Sequence, residues 1–106
     1  RDPLKRPIMG NIASEKSDYV IFTSDNPRTE DPKAILDDII KGVRKDNYEV
    51  EIDRPIAIRK GLDMIGKNDV LLILGKGHED YQIIGHTKHH LDDAEEVRKY
   101  LEAHKN

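Results

Sequence analysis

Val70-Leu71-Leu72-Ile73-Leu74-Gly75-Lys76-Gly77-His78-Glu79-Asp80 decides how the 106-residue chain is read. Five consecutive apolar residues that run into a loop with two glycines predict a strand buried on both faces, and such strands belong to parallel sheets covered by helices. Working upstream, Asp53 and Pro55 predict the start of a helix carrying Ile58, Leu62 and Ile65, closed by Gly66 and Asn68. Before it, Tyr48 to Asp53 alternates as a half-exposed strand does. Asp31-Pro32 supplies an N-cap and a first-turn proline for a helix with Ile35, Leu36, Ile39, Ile40 and Val43 on one stripe. Asp18-Tyr19-Val20-Ile21-Phe22 predicts a second buried strand, and residues 4–15 predict a helix with Pro7 in its first turn and Ile8, Met9, Ile12 and Ala13 on one face.

Downstream, Tyr81 to Ile84 and Thr87 to Leu91 predict a short hairpin around Gly85-His86. Asp92 and Asp93 open a last helix with acids first and Arg98-Lys99 late, which suits the helix dipole. The alternation predicts an α/β fold: a Rossmann-like three-layer sandwich with a mostly parallel sheet and a C-terminal hairpin. Three strongly apolar segments and a polar hairpin fall short of a complete doubly wound sheet. The expectation is therefore an incomplete domain whose first strands lie before Arg1.

Composition narrows the function. With 36% hydrophobic and 37% charged residues the chain is polar for a globular domain, so a thin core under a large solvated surface is expected. The net charge is -3, with 9 basic and 12 acidic residues through Asp53 and 9 of each after it. Neither half is a basic patch of the kind that displaces counterions from phosphates, which argues against nucleic acid as a partner. The absence of cysteine excludes disulfides, thiolate zinc sites and a cysteine nucleophile, and points to a reducing compartment, the cytoplasm. The longest apolar run is far short of the roughly 20 residues that span a bilayer, so no membrane segment or signal peptide is expected.

In open α/β sheets, ligands sit beyond the carboxyl ends of the strands, so the loops after them hold the candidate chemistry. Ser24-Asp25-Asn26-Pro27-Arg28 joins an acid, an amide and a guanidinium around a proline that fixes the backbone. A planar guanidinium suits bidentate capture of a carboxylate or phosphate, and an Asx turn with a solvated arginine is the plain alternative. In Gly75 to Asp80 the glycines allow a ligand close to the main chain, and Glu79 and Asp80 can accept from an ammonium group; a tight turn into the hairpin is equally consistent. The spacing is not that of a Walker A loop. His78, His86, His89 and His90 match no standard ligand spacing and read as a solvated hairpin, with no metal site expected.

Taken together, Thr23-Ser24-Asp25-Asn26-Pro27-Arg28-Thr29-Glu30-Asp31-Pro32 and Gly75-Lys76-Gly77-His78-Glu79-Asp80-Tyr81-Gln82 resemble the C-terminal domain of the Mur ligase family, in its MurE, diaminopimelate-adding form. Arg1-Asp2, Lys5-Arg6-Pro7 and Met9 resemble the segment that leads into this domain's first helix. The resemblance covers residues 1–106 as one amino-acid-delivering domain. It implies an ATP-dependent ligase of peptidoglycan synthesis. ATP with Mg2+ converts the D-glutamate carboxylate of UDP-MurNAc-L-Ala-D-Glu to an acyl phosphate, which the amine of meso-diaminopimelate attacks.

By the same resemblance, Asn26 and Arg28 hold the far carboxylate of diaminopimelate and Arg1 assists, the Gly75 main chain and Glu79 grip the ammonium end, and Asp25 is a further substrate-binding residue. The groups that bind ATP and Mg2+ belong mainly to domains outside this chain, so no catalytic residue is expected within it and the chain alone is expected to be inactive. Lysine lacks the second carboxylate and would leave Arg28 unpaired, which predicts diaminopimelate over lysine. A lysine-adding relative, a folylpolyglutamate synthase relative, a non-catalytic Rossmann-like binding module and a plain scaffold are the competing readings. Self-association through an exposed sheet edge is a further expectation.

Overall fold

A computed structural model describes residues 3–75, 81–84 and 86–104. A 3-10 turn, Pro3–Lys5, leads into α1 (Arg6–Lys16), followed by β1 (Val20–Phe22), α2 (Pro32–Ile40), β2 (Tyr48–Val50), α3 (Arg54–Met64), β3 (Tyr81–Ile84), β4 (Thr87–His90) and α4 (Asp93–Ala103). The helix starts follow from local chemistry. The Asp31, Asp53 and Asp92 side chains each accept a hydrogen bond from a first-turn amide, at Lys33, Ile56 and Glu95 respectively. Proline stands in the first turn of α1, α2 and α3, where its missing N–H has no helical partner to lose.

β1 and β2 pair in parallel, Val20 opposite Tyr48 and Phe22 opposite Val50, with α2 in the crossover. β3 and β4 form an antiparallel hairpin, Tyr81 opposite His90. Phe22, Leu36, Ala57, Ile58 and Leu91 make the buried apolar core, and the Phe22 and Tyr48 rings meet edge-on with centroids 5.8 Å apart. Leu36, at 1% exposure, is the most enclosed of these five. Asn47 fastens α1 to the sheet: its amide donates to the carbonyls of Ser14 and Ser17, both at 3.0 Å, and its Oδ1 accepts from the buried Ser14 hydroxyl at 2.6 Å.

Two expectations need correction at the level of elements. Val70–Leu74 runs without a β-ladder, and Val70, Leu72 and Leu74 are 81%, 73% and 75% exposed while Leu71 and Ile73 are half-buried. A central strand needs hydrogen-bonded neighbours on both edges, and the parallel ladder among the described residues contains only β1 and β2. On α1, Ile8, Met9 and Ile12 face solvent, and the buried positions are Arg6, Gly10 and Ser14. The helix lies backbone-close to α2, where a β-carbon at Gly10 would collide with the Ile39 carbonyl. A small-residue face is the one such an approach selects.

Candidate functional site

The loop after β1 is shaped from several sides. Ser24 is buried; its hydroxyl donates to the Ile52 carbonyl at 2.8 Å and accepts from the Gln82 amide at 3.1 Å. Asn26 Oδ1 accepts from the Ile83 amide at 2.9 Å, and the Arg28 amide donates to the Ile83 carbonyl at 2.9 Å. The loop thus lies against β3 as a short parallel bridge, Arg28 opposite Ile84. Pro27 is buried, and the next residue, Arg28, takes a left-handed backbone with φ 57° that turns its side chain outward to solvent.

The far end of the loop is tied by an arginine. Arg6, 6% exposed, donates to both Glu30 oxygens at 2.7 and 2.9 Å and to Asp38 at 3.2 Å. The hydrogen bonds from Arg6 hold the Glu30 carboxyl below its ordinary range, and the Glu30 pair in turn raises Arg6. A second arginine closes the near end. Arg54, 3% exposed, clamps Asp93 through Nε at 2.8 Å and Nη2 at 2.7 Å, and donates to the Ser24 carbonyl at 3.2 Å and the Leu74 carbonyl at 3.0 Å.

Those two carbonyls immediately precede Asp25 and Gly75. The two loops consequently meet. Asp25 Oδ2 lies 3.7 Å from where a β-carbon of Gly75 would stand, and Gly75 has φ +103°, a conformation that L side chains rarely adopt. Of the candidate site residues, Asp25 and Gly75 are therefore neighbours, and Asn26 and Arg28 share the β3 edge. Arg1 and Glu79 lie outside the described residues, as does His78. The guanidinium of Arg28 makes no ion pair with any described residue. Its exposure also tempers the specificity argument, because an exposed arginine left without a ligand is hydrated rather than stranded.

Sequence pattern does not mark Arg54 and Asp93 as parts of this site, and Arg6, Glu30 and Gln82 stand in the motifs quoted above with no role of their own. The signal available was electrostatic: Arg6 and Arg54 are the first residues of α1 and α3, the end of a helix that repels positive charge. On the other side of the loop a cleft of about 490 Å³ opens toward the hairpin, lined by Ser24, Pro27, Ile52, Gln82, Ile84 and His90 among others. β4 is exposed throughout, and His90 Nε2 lies 3.1 Å from Glu95. Among the described residues no three His, Cys, Asp or Glu side chains gather in a way that could hold a metal ion. No helix there is long and apolar enough to cross a membrane.

The chain is an α/β segment in which the loop after the parallel strand β1 carries a left-handed arginine and meets a positive-φ glycine. Residues 1–77 match the family model described as "Mur ligase, glutamate ligase domain", and the chain belongs to that family. It is 57% identical over 101 residues to the UDP-N-acetylmuramoyl-L-alanyl-D-glutamate--2,6-diaminopimelate ligase of Lactiplantibacillus plantarum, covering 95% of this chain and 20% of the relative. Against the enzyme of that name from Clostridioides difficile the identity is 53% over 103 residues, 95% of this chain and 21% of the relative. A solved structure of a 2,6-diaminopimelate ligase of the same name superposes with a TM-score of 0.94 at 40% identity, over 100% of this chain and 22% of its own. The chain thus spans about a fifth of the length of the relatives it matches.

Proposed function

We propose that residues 1–106 form the C-terminal, amino-acid-carrying domain of an ATP-dependent ligase that joins meso-diaminopimelate to UDP-MurNAc-L-Ala-D-Glu in peptidoglycan synthesis. The observation that carries this reading is the meeting of the two motif loops, Asp25 against Gly75, with Arg28 exposed beside them. The names of the matched relatives, which specify 2,6-diaminopimelate, support the same substrate. In this reading Arg28 receives the distal carboxylate as a two-pronged donor, with Asn26 shaping the loop through Ile83 and Arg1 assisting. Asp25, the Gly75 main chain and Glu79 face the ammonium end, where oxygen acceptors suit a positively charged donor. ATP supplies the phosphoryl group that activates the D-glutamyl carboxylate, and Mg2+ accompanies it on the nucleotide-binding part of the ligase. This chain's task is to present the amine that attacks, in the cytoplasm where the nucleotide substrates reside.

The test is ADP release by the full-length protein carrying this chain, given UDP-MurNAc-L-Ala-D-Glu with either meso-diaminopimelate or L-lysine. Release with diaminopimelate alone is the expected result. Release with lysine overturns the substrate assignment but keeps the ligase, and release with neither overturns both in favour of a binding module without catalysis. The exposed apolar side chains of Val70, Leu72 and Leu74 support a further part of the proposal, self-association of the isolated 106-residue chain. Sedimentation as a concentration-independent monomer would remove it.

A further inference from the structure

We infer that Arg54, with Asp93 as its counter-ion, is a positioning residue that sets the spacing between the two substrate loops; the inference rests on the function proposed above. Four guanidinium hydrogen bonds divide between one carboxylate and two main-chain carbonyls, at Ser24 and Leu74. These carbonyls come from segments 50 positions apart that share no strand pairing among the described residues. Each is the last peptide before the residue that faces the other loop, Asp25 on one side and Gly75 on the other. A planar fork can span both carbonyls while remaining doubly bonded to Asp93, which a lysine ammonium, a single point of three donors, cannot. Asp93 is itself the first residue of α4, so the carboxylate that aims the fork is fixed to a helix.

The arrangement differs from a merely structural ion pair in what it controls. A surface-to-core staple holds elements in place, whereas here the guanidinium is the shared partner of two loops that contain candidate ligand-binding groups. Loss of the fork should leave the domain folded by its other contacts, such as Arg6–Glu30 and Asn47–Ser14, and let Asp25 and Gly75 drift apart. Since diaminopimelate is held at both ends, a change of an ångström in loop spacing is felt in its affinity, and in no other substrate's.

The experiment compares the full-length protein with its Arg54→Lys and Asp93→Asn variants by steady-state kinetics and by amide hydrogen exchange of segments 23–30 and 70–75. The expected result is a KM for diaminopimelate raised about tenfold or more, with the KM for ATP and for the UDP-sugar within about twofold, and faster exchange in both segments with β1 and β2 unchanged. An unchanged diaminopimelate KM in a variant that melts like the parent overturns the inference. So does a parallel rise in all three KM values, which would mark a general loss of structure. If Arg54→Lys does not fold, Asp93→Asn, which keeps the size of the side chain but replaces one of the two acceptor oxygens by an amide donor, carries the same test. If the parent releases no ADP with diaminopimelate, the functional reading has failed. The exchange data then decide the coupling alone: faster exchange in both loops upholds it, and faster exchange in one loop or neither refutes it.

Discussion

Arg28 combines an exposed guanidinium with a backbone, φ 57°, that an L side chain adopts only at a cost of roughly 1–3 kcal/mol. That is a conformation glycine would take freely, so the arginine is held there against local preference. Arg28→Gly should leave stability unchanged or raise it by up to about 1 kcal/mol in urea denaturation, while raising the KM for diaminopimelate more than tenfold. A variant that lost stability and kept its KM would show that the guanidinium serves the fold and not a ligand. Gly75 presents the converse case. A β-carbon there has ordinary room beside Asp25, so Gly75→Ala fails on backbone conformation, not on space, and should cost about 1–2 kcal/mol together with weakened substrate binding. Deep in the core, Leu36→Ala removes a side chain with no route to solvent and should cost about 2–5 kcal/mol by the same denaturation measurement.

At the scale of elements, the helices were legible and the sheet only partly. Asp31, Asp53 and Asp92 mark helix starts because capping is a contact between residues two or three positions apart, and any reader of the sequence holds both partners. The strand expected at Val70–Leu74 depends on neighbours that local pattern does not supply, and the described chain gives it none. The apolar face expected on α1 failed for a related reason: hydrophobicity predicts what prefers burial, whereas the geometry of the α1–α2 approach is set by Gly10. The candidate loops were found as sequence motifs, but the arginines that hold them were not. Both sit where the helix dipole opposes a positive charge, and each is matched there by charge-assisted hydrogen bonds to carboxylates distant in the chain. Glu30 gives this a pH signature. Because Arg6 holds its folded-state value below the ordinary 4.5, the Glu30 contribution is fully present above that pH and is lost as pH falls through the folded value. The parent should lose stability more steeply than Glu30→Gln below pH 4.5, with the gap between them, open at neutral pH, closing in acid titrations.

Over the whole molecule, the interactions separate by the length of chain they close. Helix caps join positions two or three apart, whereas Asn26 reaches Ile83 over 57 positions, Gln82 reaches Ser24 over 58 and Arg54 reaches Asp93 over 39. Closing a long loop costs chain entropy before any contact returns it, so distant pairings form after local ones. In refolding, helices α1 and α2 should be in place before the loop after β1 has its final shape. Quenched-flow labelling should therefore find the Ile83 and Arg28 amides among the last to be protected, behind the interior of α2. The same order should run backwards in the native state: the loop after β1, held to the rest by pairings that close long stretches of chain, should open to hydrogen exchange while the helices stay protected, which makes it the hinge-like part of an otherwise fixed framework.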